Sequence, residues 1–488
     1  MSNALFRDLK RLVAGEEARA HDRVAADPYR QAFHLMPPAG WLNDPNGLCY
    51  FRGNYHVFYQ YGPFDPTGGV KMWGHYRSPD LLRWERCPVM LFPDQPYDLH
   101  GVYSGSAFIE DGVMYLYYTG NVKQAGDYDY ITAGRGHNTA LAVSRDGVSV
   151  QSDELLLTNA DYPAGLTCHV RDPKVWQQDG MYYMVLGART LDDRGEILVF
   201  ESADKRRWRH RNTLTTPEKF GYMWECPDLF GLEGLSFLVC SPQGVDRQGD
   251  RYQNIYSSGY FPLHGDFRGE YMLGGFTELD CGFDFYAPQT FRDEAGRRIL
   301  IGWAGMPDAG YENPTVTRGW QHALTVPRAL SSRNGKILQQ PMEELKTLRY
   351  GKQEIDPTGS FLLEDGSGDV ELQAGDGGRE WQILIGNGCA LTCHKGVLQL
   401  EFSQGWGYGR KIRGTRLEEC RNVRILIDTS MLEIYVNDGE IVFTSRFYPE
   451  FASGTGTVKP ETRTLLLEFN CPGMIAAGWQ MREMEIDL

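Results

Sequence analysis

The sequence predicts an all-β protein, a five-bladed β-propeller followed by a C-terminal β-sandwich, and three observations predict it. Tyr, Phe and Trp make up 12% of the 488 residues, and 56 Gly and 25 Pro punctuate the chain, a composition suited to many short strands and turns. One pattern recurs five times: a turn or polar residue, an apolar strand, a Gly-bearing hairpin, and an aromatic-rich strand. Near residues 338–350 (LQQPMEELKTLRY) this gives way to a short helical stretch, after which strand-like runs resume.

In chain order, residues 1–30 alternate charged and apolar residues at helical spacing without the continuous apolar core of a secretory signal, which predicts a surface helix. The propeller is expected over 31–337. Its five repeats are NGLCYFRGNYHVFYQY from Asn46, SGSAFIEDGVMYLYYTG from Ser104, DPKVWQQDGMYYMVLGA from Asp172, CPDLFGLEGLSFLVCSP from Cys226 and APQTFRDEAGRRILIGWAG from Ala287. Arg-Gly-Asn, Asp-Gly, Asp-Gly, Glu-Gly and Ala-Gly turns between alternating flanks make each a β-hairpin, and a spacing near that of a four-stranded blade suggests radial repetition. Strand patterns alone also fit a large β-sandwich or stacked hairpins without radial symmetry. Residues 338–350 read as a linker, and EWQILIG, VRILIDTS, LEIYVNDG and TLLLEFN predict a β-sandwich over 351–488.

A chain of this length exceeds what one hydrophobic core usually fills, so two domains are expected. The formal charge of −15 and the absence of a Lys/Arg stripe argue against a nucleic-acid partner. No apolar run is long enough to span a bilayer, so no membrane partner is expected. Ten cysteines scattered through apolar strands lack the spacing of a disulfide scaffold and point to a reducing cytoplasm. The histidines and the lone Cys389/Cys393 pair offer no metal-ligand spacing, so neither metal nor cofactor is expected.

Three carboxylates stand at the starts of repeats: Asp44 in WLNDPNG, Asp172 in HVRDPKVW and Glu225 in WECPDLF. Paired carboxylates flanking a scissile bond are what glycoside hydrolysis requires. Each string taken singly is ordinary turn or strand-entry material. Together with YQY at Tyr59 to Tyr61, WGH at Trp73 to His75, YSGS, RDP, DFYAPQ and IDTSMLEIYVNDGE, they closely resemble glycoside hydrolase family 32, the invertase, inulinase and sucrose-6-phosphate hydrolase group, from about residue 30 onward.

The resemblance implies the propeller-plus-sandwich fold and double displacement with retention, without a cofactor. It implies Asp44 as the nucleophile, Glu225 as the acid/base with Cys226 tuning it, and Asp172 as a third carboxylate that steadies the transition state beside Arg171. Asn43, Gln60 and Trp73 supply the amides and apolar face of a sugar pocket, with Ser104, Asp284 and Tyr286 as further contacts, while Trp303 is assigned to the core. Tyr103 stands where many family members carry Phe.

The expected substrate is a small sugar, sucrose or sucrose 6-phosphate, with a fructo-oligosaccharide hydrolase or a transfructosylase as the alternative. A non-catalytic sugar-binding propeller is a third reading, and the intact carboxylates weigh against it. Lys71 in GGVKMWGH resembles the phosphorylated-sucrose hydrolases and is expected at the pocket mouth, where it can capture a phosphate with help from Arg135 or His137. The sandwich is expected to serve packing or homo-oligomer formation.

Overall fold

The computed structural model describes residues 3–375, 380–450 and 463–487. Residues 1–2 of the expected N-terminal extension, and 376–379, 451–462 and 488 of the expected sandwich, lie outside the described residues.

The protein is built of strands in a five-bladed propeller and a β-sandwich. Each blade starts with a strand on the central channel: Gly40–Phe51, Val102–Glu110, Leu166–Gln178, Met223–Leu232 and Tyr286–Arg292. These five strands contact one another in cyclic order, the fifth returning to the first. Four of the channel strands fold back through two-residue turns, Arg52-Gly53, Asp111-Gly112, Asp179-Gly180 and Glu233-Gly234, with positive φ at both positions in every case. That is the mirror-image turn whose twist matches paired strands. The fifth hairpin instead uses a longer loop, in which Asp293 Oδ1 accepts the Arg297 amide at 2.8 Å.

The ring is clasped by Trp320–Gln321, which pairs in parallel with Gly40 and Trp41 of the first blade. A second clasp comes from the far end of the chain, where Glu485–Asp487 leaves the sandwich and pairs in parallel with residues 83–85 on the outer edge of the first blade. Sequence periodicity placed all of 351–488 in the sandwich; three residues are too few for a periodicity to register.

The N-terminal helix, Ala4–Ala25, is capped by Asn3, whose side chain accepts the Phe6 amide at 2.7 Å. Val13, Ala20 and Val24 are its buried face, and Glu17 binds it to the first blade through Tyr61 Oη (3.0 Å) and Arg86 (2.9 Å). No helix among the described residues is long and apolar enough to cross a membrane.

The fifth blade ends with Lys336–Pro341, a 3-10 turn follows at Glu343–Leu348, and two six-stranded sheets then enclose a core that includes Val370, Ile383, Leu391, Ile425 and Phe443. The sandwich meets the propeller through buried charge. Arg328 binds Glu433 at 2.7 Å, and His34 bridges Asp428 (2.7 Å) and Glu433 (2.9 Å). Arg410 clasps both oxygens of Asp284 at 2.7 and 2.8 Å.

Candidate active site

One local device recurs around the channel. Every channel strand breaks register with its partner where a candidate side chain sits: between Leu42 and Pro45, Tyr103 and Gly105, Arg171 and Lys174, Glu225 and Asp228, and Tyr286 and Gln289. In three of the five breaks a proline lies within the bulge, at 173, 227 and 288, where its missing N–H costs no ladder hydrogen bond, and Pro45 closes the first break. Asp172, Cys226 and Ala287, each directly before its proline, have φ of 66°, 47° and 47°. Left-handed backbone in non-glycine residues costs about 1–2 kcal/mol each. The bulges turn successive side chains of one strand toward the same space, which a regular pleat cannot do.

The space they face is a cavity of about 230 Å³ at one mouth of the channel. Asn43, Asp44, Gln60, Lys71, Ser104, Arg171, Asp172, Glu225 and Tyr286 all line it. Trp73 and Asp284, expected there, do not: Trp73 is fully buried beneath the site with its indole N–H donating to the Tyr103 carbonyl at 3.0 Å, and Asp284 is held by Arg410 at the domain interface. Trp303, expected in the core, is buried in it and also lines the cavity, as do the unforeseen Trp41, Gln243 and Pro307. Gln243 was within reach of register counting, because Glu225 pairs with Ser241 and Gln243 follows two residues later on the same face.

Asp44 sits in a directed hydrogen-bond ring. Trp41 Nε1–H donates to Asn43 Oδ1 at 2.7 Å, so the Asn43 amide nitrogen must face the other way, where it donates to Asp44 Oδ1 (3.0 Å) and Gln60 Oε1 (2.8 Å). Gln60 then donates to Ser104 Oγ (2.6 Å), leaving the Ser104 proton for Asp44 Oδ2 at 2.5 Å. Burial pushes the Asp44 carboxyl above its ordinary range, while the bonds from Ser104 and Asn43 favour the anion. Asn43 and Gln60 thus orient the carboxylate as well as lining the pocket.

Glu225 accepts from four donors. Arg171 gives Nε (2.9 Å) and Nη2 (2.6 Å) to Oε1, while Gln243 (2.8 Å) and Tyr286 Oη (2.6 Å) bind Oε2. Tyr286 Oη also lies 3.2 Å from the Ser241 carbonyl, a second acceptor to which its proton can turn.

Asp172 is buried, and burial raises its carboxyl well above the ordinary range against the opposing pull of Arg171 at 4.0 Å. Its Oδ2 accepts the Cys226 amide at 2.9 Å. The Cys226 thiol lies 3.6 Å from Oδ2 of both Asp44 and Asp172. The cysteine therefore touches those two carboxylates, and not the Glu225 side chain it was expected to tune; the backbone turn at its positive φ directs it inward.

Lys71 lies 4.6 Å over the Trp41 ring, and its buried Nζ has no hydrogen-bond partner among the described residues. Burial lowers its ammonium group to about 7 against the pull of Asp44 and Asp65. Arg135 and His137 line the same cavity.

The arrangement is three carboxylates in different electrostatic settings around one polar cavity with indole walls, the composition of a site that holds a sugar ring and breaks a bond to it. Comparisons with known proteins point the same way. The family model for the glycosyl hydrolases family 32 N-terminal domain matches residues 34–341, and that for the family 32 C-terminal part matches 392–466. The chain is 40% identical to the sucrose-6-phosphate hydrolase of Bacillus subtilis (strain 168), over 89% of this chain and 92% of that protein. It is 37% identical to the raffinose invertase of Escherichia coli, over 86% and 89%. Among solved structures it is similar to the sucrose-6-phosphate hydrolase of Lactobacillus gasseri, with TM-score 0.85, 27% identity and coverage of 96% and 97%. It is also similar to a mutant of the Bombyx mori family 32 β-fructofuranosidase in complex with sucrose, with TM-score 0.84, 29% identity and full coverage of both chains.

Proposed function

The chain belongs to glycoside hydrolase family 32, and from that premise we propose that it is a β-fructofuranosidase that cleaves the terminal β-fructofuranosyl bond of sucrose or sucrose 6-phosphate by double displacement with retention. The observation that carries this reading is the convergence of Asp44, Asp172 and Glu225, from three blades, on one cavity.

In the first step Asp44 attacks the anomeric carbon of fructose and forms an ester, while Glu225 protonates the departing glucosyl oxygen. In the second, Glu225 takes a proton from water, which opens the ester and frees Asp44. The Tyr286 hydroxyl accommodates both states: it donates to a Glu225 carboxylate and, once that oxygen carries the proton, turns to the Ser241 carbonyl. Asp172 accepts from the fructose hydroxyls as the ring flattens, and Arg171 keeps Glu225 aimed. Asn43, Gln60 and Ser104 fix Asp44 and border the fructose, and Trp41 and Trp303 supply apolar walls.

The same reading divides the chain into a helical arm over 1–30, a catalytic propeller over 31–337, a linker over 338–350 and a sandwich over 351–488. It places the enzyme in the cytoplasm, where a phosphorylated disaccharide would be met, and gives the sandwich a packing or oligomer-stabilising role.

The test is a substrate panel of sucrose, sucrose 6-phosphate and short fructo-oligosaccharides, with products resolved by chromatography. Fructose release from the two disaccharides is expected, with water as the dominant acceptor. No fructose from either disaccharide defeats the proposal, and kestose-type products in excess of free fructose would make the protein a transfructosylase.

A further inference from the structure

The protein carries a net charge of −15, yet Arg135, His137 and Arg171 all line the cavity, and the carboxylates beside them, Glu225 and Asp172, act on Arg171. Arg171 is committed to Glu225 through Nε and Nη2 and gives Nη1 to His169 Nδ1 at 2.7 Å. That bond decides the tautomer. With Nδ1 accepting, a neutral His169 carries its proton on Nε2, and burial together with two flanking guanidinium groups keeps the ring neutral.

Arg135 Nη1 lies 3.4 Å from that same Nε2, so it faces an N–H where it needs a lone pair. Its Nε is buried without any partner among the described residues, and the strongest influences on its charge are burial, the Tyr103 hydroxyl and the neighbouring Arg171. Beside it, His137 is fully buried, with neither ring nitrogen bonded among the described residues, edge-on to His169 at 5.4 Å. Lys123, the strand partner of Arg135, adds a further positive charge. Buried guanidinium and imidazole N–H groups without acceptors are costly unless a ligand supplies them.

The position matches the chemistry. The contacts Glu225, Arg171, His169, Arg135 tie Arg135 to the acid/base, the group that meets the leaving sugar's oxygen, and not to the nucleophile Asp44. Lys71, the other cation of the cavity, faces the nucleophile side, where Asp44 and Asp65 act on it and burial still lowers its ammonium group to about 7.

We propose that Arg135, backed by His137, is an anion clamp at the leaving-sugar end of the cavity and binds the phosphate of a phosphorylated disaccharide such as sucrose 6-phosphate. A phosphate offers oxygens for both arms of a guanidinium fork, which a sugar hydroxyl cannot match. The clamp rests on the hydrolase reading for the orientation of the substrate.

The test compares kcat/KM for sucrose and sucrose 6-phosphate on wild type, Arg135→Gln, Arg135→Lys and Lys71→Met, with calorimetric titration of glucose 6-phosphate into wild type and Arg135→Gln. The preference for the phosphorylated sugar is expected to fall about 30-fold in Arg135→Gln, through KM, with Arg135→Lys intermediate. Lys71→Met is expected to lower both sugars together, and glucose 6-phosphate binding to vanish in Arg135→Gln. An unchanged preference or unchanged glucose 6-phosphate binding in Arg135→Gln overturns the clamp, as does cleavage of sucrose by the wild type with no preference for its phosphate. If the wild type cleaves neither sugar, the hydrolase reading fails instead, and the glucose 6-phosphate titration alone decides the clamp.

Discussion

Two clusters of buried charge, one at the domain interface and one in the cavity, are built on opposite terms. At the interface of propeller and sandwich, Glu433 accepts from Arg328, His34, Tyr435 and the Val326 amide, and Asp428 accepts from His34 and the amides of Ala32 and Phe33. These contacts hold Glu433 down at about 2 and His34 up at about 9. Asp280, raised by burial to about 6 despite Arg328 and Thr444, departs from that rule. In the cavity the pairing is uneven: Glu225 has its four donors, but burial raises Asp44 and Asp172, and the buried Lys71 Nζ has no hydrogen-bond partner among the described residues. Full pairing makes a joint, and incomplete pairing leaves groups ready to react.

The contrast can be broken by mutation. The largest effect is expected at Glu225: Glu225→Gln lowers kcat on sucrose about 10³-fold, and a substrate whose leaving group needs no proton recovers much of the loss. A loss below tenfold would remove Glu225 from the acid/base role.

Next is the joint. Arg328→Met leaves Glu433 buried without its main cation and is expected to cost about 3–5 kcal/mol in urea unfolding, while Arg328→Met with Glu433→Gln costs less than the sum of the two single changes. Additive losses would show that the two side chains do not act as a pair.

In the cavity the sign reverses. The raised Asp172 carboxyl favours its protonated form in the folded state, so its ionisation opposes folding above that raised value and the cost fades as pH falls. Asp172→Asn is therefore expected to lose activity yet gain about 1 kcal/mol of stability at pH 8, and less at pH 5. A destabilised Asp172→Asn at pH 8 would place Asp172 among the fully paired charges.

The smallest effect is the pH dependence of the joint. His34, raised above its ordinary 6.5, contributes stability that is complete below that value and is lost as pH rises through about 9. Glu433, lowered below 4.5, contributes above that value and loses it as pH falls toward about 2. The unfolding midpoint should fall between pH 7 and 10, and less steeply in His34→Asn; equal slopes would contradict the assignment.

The sequence made the five hairpins and the three carboxylates legible because both are local: Gly-bearing turns between alternating strands, and short strings at repeat starts. What it hid was geometry between strands. Trp73 and Asp284 lie in motif strings that reach the site, yet strand pairing turns one beneath the floor and Arg410 draws the other to the interface. The Pro residues at 45, 173, 227 and 288 carried a readable sign of the bulges, since proline inside a strand marks a break in the ladder. Which side chain each bulge turns inward required the register.

The central claim is that Asp44 forms a covalent bond to fructose. The most direct measurement is sucrose turnover by Asp44→Asn, with deamidation excluded by peptide mass. The account predicts that kcat falls by at least about 10³-fold with the fold intact, because an amide cannot form the ester. Turnover near the wild-type rate would contradict it.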